Sequence, residues 1–258
     1  MNKDNETSIH EFDFNLICEY FSSIDRQGPG SESMTGKALS YVGELYADSR
    51  IADLGCGTGG QTVTIAKEVP GHIYALDLFP TFIDRLNARV VSNGLSERID
   101  GIVGSMDALP FKEETFDLIW SEGAIYNIGF RKGLEYWRKF LKPGGIVCVS
   151  EATWLSESRP SEIEDFWMDA YPEIDTVEHK VRQMKEIGYD VITSFVIPEN
   201  CWTEHFYKPQ RKAQKIFLQN HQENPIASEL VAYMRHEAAL YSKYSKYYGY
   251  VFFIGKKD

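Results

Sequence analysis

From residue 49 to residue 150, short runs of β-branched and apolar residues alternate with stretches in which apolar residues recur every three or four positions. The first pattern fits strands buried on both faces and the second fits amphipathic helices lying on them. Together they predict a doubly wound α/β fold, a mostly parallel sheet with helices on both sides. Strands are expected at 50–54, 72–76, 99–103, 116–121 and 145–151. The helix at 60–68 is opened by Gly59-Gly60, and that at 80–92 carries Phe82, Ile83, Leu86 and Val90 on one face with Pro80 in its first turn. A third, 131–141, has Leu134, Trp137, Arg138 and Leu141 in phase and is stopped by Lys142-Pro143-Gly144-Gly145.

Upstream, residues 12–24 place Ile17, Tyr20, Phe21 and Ile24 on one face before Gln27-Gly28-Pro29-Gly30-Ser31 breaks the pattern, and a second helix is expected at 33–46. Downstream, a helix at 178–187 runs into a strand at 190–197, and Tyr250–Gly255 forms a closing strand. Between those two strands, 203–246 holds two long helical patterns, the second with Leu230, Val231, Met234, Ala238 and Tyr241 on one face. So long a connection predicts a cap over one end of the sheet. The expected organisation is one domain over 1–258, with its core at about 36–153, 178–198 and 247–258 and cap elements at about 1–35, 154–177 and 199–246.

A chain of 258 residues that is 43% hydrophobic can bury a full core, near the upper limit for one domain. The net charge of -11 argues against a nucleic-acid partner, which clustered Lys and Arg would have to neutralise. The densest basic stretch is only Lys208-Pro-Gln-Arg211-Lys212. The start lacks an apolar run and no stretch approaches the roughly 18 apolar residues of a membrane span, so a cytoplasmic protein without membrane contact is expected. Cys18, Cys56, Cys148 and Cys201 form no Cys-x-x-Cys, which predicts buried free thiols and no metal site.

The chemistry gathers at strand ends. In Asp53-Leu54-Gly55-Cys56-Gly57-Thr58-Gly59-Gly60 the glycines let the backbone leave a strand, turn and start a helix close to a ligand. Gly55, Gly57 and Gly60 also satisfy the dinucleotide pattern, but Asp53 would repel a pyrophosphate, whereas a sulfonium cofactor brings positive charge. Asp77 closes the second strand about 20 residues further on, where an acid accepts the ribose hydroxyls of either cofactor. Ser105, Met106 and Asp107 follow the third strand, Met106 suited to packing on an adenine and Asp107 to accepting from its amine. After the fourth strand, Glu122 and Gly123 can meet an amino-acid portion, and Tyr126 can line the substrate side.

The ordered set ADLGCGTGG, ALD, GSMDALPF, FDLIWSEGA and LKPGG resembles the class I S-adenosylmethionine-dependent methyltransferases. It is closest to their small-molecule group, the ubiquinone/menaquinone C-methyltransferases and the glycine and sarcosine N-methyltransferases. The likeness covers about residues 48–152, with Tyr248–Lys256 similar to the final strand of that fold. It implies a seven-stranded, Rossmann-like sheet whose last strand inserts antiparallel beside the fifth. It also implies that Asp53, Gly55, Gly57 and Gln61 surround the methionine portion, Asp77 and Leu78 the ribose, and Met106 and Asp107 the adenine. Gln27, Gly30 and Ser31 are expected at the cofactor carboxylate as an anion nest. Ser121-Glu122-Gly123-Ala124 departs from the Asn/Asp-Pro-Pro-aromatic run of amino-directed nucleic-acid methyltransferases.

Methyl transfer from an activated sulfonium mainly requires alignment and exclusion of water, so no general base is obligatory. Glu151, His205 and His236 are the candidates should one be used, and Trp154, Trp202 and His205, at the feet of the cap, join Tyr126 as candidates for the acceptor wall. The tyrosines from 241 to 250 read as packing and as a candidate contact with a second copy in a homodimer. Two other readings stay open: an NAD-dependent oxidoreductase, and a non-catalytic S-adenosylmethionine-binding protein on the same fold.

Overall fold

The computed structural model describes residues 12–258; the start of the chain and the first part of the expected cap element at 1–35 lie outside the described residues. Asp13 caps helix α1 (Phe14–Ser22) by accepting from the amides of Asn15 and Leu16, and Ser31 caps α2 (Glu32–Leu39) by accepting from Met34. The alternating unit then follows: β1 (Arg50–Leu54), α3 (Gly60–Glu68), β2 (His72–Asp77), α4 (Pro80–Ser92), β3 (Ile99–Val103), β4 (Phe116–Glu122), α5 (Phe130–Trp137) and β5 (Leu141–Trp154). Beyond it come α6 (Ser161–Ala170), α7 (Val177–Ile187), β6 (Tyr189–Val196), a short α8 (Asn200–Trp202), α9 (Lys208–Asn220), α10 (Pro225–Tyr244) and β7 (Tyr248–Lys257).

The seven strands lie in the order β3-β2-β1-β4-β5-β7-β6, with β7 antiparallel to both of its neighbours and β1 through β5 parallel. This is the doubly wound, mostly parallel architecture expected. One face of the sheet packs on Phe130, Leu134 and Trp137 of α5 and Met184 of α7. The other packs on α1 to α4 and on Trp202, Leu230, Val231 and Tyr241 from the helices that precede β7. The strand order reverses between β1 and β4, so their carboxyl ends open a crevice at the switch point of the sheet. Among the described residues, no helix is long and apolar enough to cross a membrane, and all four cysteines are buried and free.

Three expectations need correction. The helix expected at 131–141 ends at Trp137, because Leu141 already pairs with Phe116 and begins β5. Lys142 to Gly145 therefore form a bulge in that strand, between the Phe116 and Leu118 pairings, rather than a helix stop. The helix at 33–46 is only Glu32–Leu39, followed by Gly43 in the left-handed region. The two long helical patterns expected within 203–246 are present as α9 and α10, preceded by a π-helical turn at Thr203–Tyr207, while α6 was not foreseen.

Candidate functional site

The loop between β1 and α3 holds Gly55, Gly57 and Gly59 at φ of 72°, 55° and 84°, the left-handed region that disfavours side chains. Space forbids them too: a Cβ on Gly55 would lie 2.4 Å from Cβ of Ala124, and one on Gly57 2.1 Å from Oε1 of Gln27. The amides of this loop point inward. Gly55 and Cys56 donate to the carbonyl of Leu76, Gly57 donates to Oδ2 of Asp77 at 2.9 Å, Thr58 to Oε1 of Gln27 at 2.9 Å, and Gly59 to Cys56. With these donors taken and Asp77 facing them, the loop offers a pyrophosphate no nest and one carboxylate. A carboxylate at this position disfavours a phosphate-bearing ligand.

Above the loop lies a cavity of about 310 Å³, lined from four strand ends. Ser105, Met106 and Asp107 follow β3, Asp77 and Leu78 end β2, Gly55 and Gly57 follow β1, and Glu122, Gly123 and Tyr126 follow β4. Sheet order alone spreads these groups over three strand spacings, roughly 14 Å. At the β4 end Arg26 donates to Oε2 of Glu122 at 2.9 Å and to Oγ1 of Thr35 at 3.2 Å, while Glu122 also accepts from Thr35 at 2.7 Å and from the Trp120 indole at 3.0 Å. Glu122 is thus held fixed, and the guanidinium keeps further donors for an anionic group. In the middle, Asp77 accepts from Gly57 and Phe79, one bond per oxygen, which leaves lone pairs for hydroxyls. Burial raises its carboxyl above the ordinary range. Beyond β3 the thioether of Met106 faces Gly55, and Asp107 accepts from Ser105 at 2.5 Å.

Several expected residues do other work. Asp53 is fully buried beneath the loop and does not line the cavity; it accepts from Thr62 at 2.6 Å and more weakly from Gln61. Burial pushes its carboxyl up to about 7 against the opposing Thr62 bond. Gln61 and Gln27 reach the cavity wall, yet their amides are engaged: Gln61 donates to Cys56, and Gln27 donates to Phe21, Ile24 and Thr58, latching the N-terminal segment onto the loop. Ser31 caps α2, and Gly30 gives room to the Arg26–Glu122 pair; neither lines the cavity.

The base and acceptor candidates are more dispersed. Glu151 is sealed on the α7 side of β5, paired with Lys180 and accepting from Tyr171 at 2.8 Å. His205 and His236 are exposed, the latter edge-on to Phe166. Trp154 is 3% exposed under the Arg159 guanidinium, and Trp202 is 1% exposed, stacked 4.4 Å from Tyr241. These tryptophans are packing, because three segments close on them. Tyr126 does reach the cavity. Arg26 was missed; its signal is a lone cation beside Gln27-Gly28-Pro29-Gly30 in an acidic chain.

Residues 51–145 match the model of a family described as a methyltransferase domain. A sterol 24-C-methyltransferase of Gibberella zeae is 25% identical over 153 residues, which make up 55% of this chain and 40% of that enzyme, so the chain spans less than half of its relative's length. Among solved structures, the E. coli protein YjhP superposes with a TM-score of 0.82 at 22% identity, covering 95% of this chain and all of that one. An S-adenosylmethionine-dependent methyltransferase from Geobacter sulfurreducens, in complex with S-adenosylhomocysteine, superposes at 0.81 with 19% identity, covering 95% and 98% of the two chains. Residues 51–145 therefore match a methyltransferase domain, and the chain shares its fold with an S-adenosylmethionine-dependent methyltransferase of known structure.

Proposed function

We propose that this chain is an S-adenosylmethionine-dependent methyltransferase that moves a methyl group to a small-molecule acceptor by in-line displacement. The observation that carries the reading is the inward closure of the loop amides from Gly55 to Gly59 under a cavity with acids at Asp77 and Glu122. That arrangement disfavours the NAD alternative and suits a phosphate-free adenosine bearing a cationic centre. The residues fit such a group from end to end: Met106 beside an adenine, Asp77 toward ribose hydroxyls, Arg26 toward an amino-acid carboxylate, and Glu122 toward the ammonium. When bound, the cofactor supplies a methyl group already activated on sulfur, so the protein has to orient the acceptor and exclude water. Tyr126, on the turn after β4, is the lining residue on the acceptor side.

Calorimetric titration tests the proposal. S-adenosylhomocysteine binds and NAD does not; Arg26→Ala weakens S-adenosylhomocysteine about 30-fold, the scale of a lost charge-assisted bond, while 5′-methylthioadenosine, which lacks the amino acid, binds as before. Binding of NAD without S-adenosylhomocysteine would overturn it.

A further inference from the structure

A second cavity, of about 250 Å³, lies between α9 and α10 and shares no lining residue with the cofactor cavity. One wall is α9, which carries Lys208, Arg211, Lys212 and Lys215 and no acid, in a chain whose net charge is -11. Gln210 and Arg211 line the cavity from that helix, and Arg235 lines it from α10. None of the lining residues is acidic.

A chain of hydrogen bonds fixes which atoms are left over there. A guanidinium only donates, so the bond from Nε of Arg235 to Oε1 of Gln214, at 2.9 Å, sets the orientation of that amide. Nε2 of Gln214 then donates to the Tyr20 hydroxyl at 3.0 Å, and the hydroxyl donates to Oε1 of Gln210 at 2.7 Å. The amide nitrogen of Gln210 is the donor left at the end of the chain. It has no partner, although Gln210 is 1% exposed and lines the cavity. Buried donors are nearly always satisfied, so this one calls for an acceptor from outside the chain.

The two guanidiniums have donors to spare as well. Among the described residues neither Arg211 nor Arg235 has a carboxylate within ion-pair distance, unlike Arg26, Arg89 and Arg159. Glu204, whose charge reaches Arg211, is held by Lys208, and Glu237 on α10 takes the Tyr207 hydroxyl. The cavity thus combines unpaired donors and two positive charges with an apolar flank from Met234 and Ala238. A carboxylate brings one charge and two oxygens to such a set, whereas a phosphate monoester brings nearly two charges and three oxygens on an organic group. We infer that this cavity binds a phosphate monoester of a small molecule, with Gln210, Arg211 and Arg235 holding the phosphate and Met234 and Ala238 flanking the organic part. The inference stands apart from the proposed methyl transfer.

Phenyl phosphate and benzoate, a dianion and a monoanion on the same ring, are the probes, with inorganic phosphate as the free ion. Calorimetry at pH 8 and physiological salt, where a phosphate monoester carries its second charge, should show the parent chain binding phenyl phosphate at least about tenfold more tightly than either of the others. Arg211→Gln, at an exposed residue, should weaken phenyl phosphate about tenfold, while Lys215→Gln, on the same helix but outside the cavity, should leave it unchanged. Gln210→Glu keeps an acceptor for Tyr20 but puts a carboxylate oxygen where the amide nitrogen stood, and it abolishes the binding. Benzoate or inorganic phosphate binding as tightly as phenyl phosphate, no binding of any probe, or binding that survives in Q210E would each overturn the inference. Equal losses in R211Q and K215Q would overturn it too, by showing a diffuse attraction to the basic helix. Phenyl phosphate binds equally with and without S-adenosylhomocysteine if the two cavities are separate sites; displacement of one by the other overturns this assignment, whereas failure of S-adenosylhomocysteine to bind at all overturns only the proposed function.

Discussion

The two sides of the cavity are built by different means. On the loop side, function rests on backbone: three left-handed glycines and a set of inward amides, all within a few residues of β1. On the cap side the structure rests on packing of side chains brought from β5, α6, α8, α10 and β7, such as Trp154, Trp167, Trp202, Tyr241 and Tyr248, meeting as an aromatic cluster. Backbone-built sites tolerate few residue types at each position, and their sequences are correspondingly constrained. Packed aromatic walls can be made in many ways. The family match covers residues 51–145, which include the loop side, and the segment from 199 to 246 lies outside it.

The comparison breaks most visibly at Trp202. Its indole is almost wholly enclosed by Tyr207, Tyr241, Tyr248 and Tyr250, so Trp202→Ala should cost roughly 3–5 kcal/mol in urea unfolding, the range for truncating a buried aromatic. If the two sides are separable, S-adenosylhomocysteine affinity of the folded variant stays within about twofold of the parent. Loss of that affinity with little loss of stability would make Trp202 part of the binding site after all.

Local and tertiary signals differ in how far sequence reveals them. The bounds of β1, α3, α4 and β3 coincide with those expected, because each is fixed by its own periodicity and by glycine or proline at its ends. The end of α5 was misplaced since Leu141 fits the helical phase and the strand equally; pairing with Phe116 decides. Residue type suggested Trp202 and His205 for the acceptor wall, but type does not give direction: one points into packing, the other to solvent. Arg26 matters through a partner 96 residues away, Glu122, and no local pattern marks that pairing.

Asp53 sharpens the loop side. Its folded carboxyl titrates near 7 against ~3.9 in an unfolded chain, so the folded state holds the proton more tightly. The stability this confers is complete below the unfolded value and is lost as pH rises through about 7. Asp53→Asn keeps an acceptor for Thr62 without a charge to dehydrate. Its urea midpoint should gain on the parent between pH 5 and pH 8, by roughly 2–3 kcal/mol in stability. A gap that does not move with pH would show that Asp53 stays hydrated and faces the ligand.

Glycine content by itself does not make the loop special, and a pair of substitutions separates position from composition. At Gly57 an added methyl meets both the left-handed φ and Oε1 of Gln27, so Gly57→Ala should cost about 1–2 kcal/mol in strain and also unseat the latch between Gln27 and Thr58. S-adenosylhomocysteine binding, read by calorimetry, falls with it. Gly36 sits within α2 with nothing within 4 Å of an added Cβ. There Gly→Ala restricts the unfolded chain and favours helix, so thermal unfolding should show a gain of roughly 0.5–1 kcal/mol with ligand affinity unchanged. Because α2 carries Thr35 against Arg26 and Glu122, a stiffer α2 that weakened binding would mean that this helix has to move for the cavity to fill.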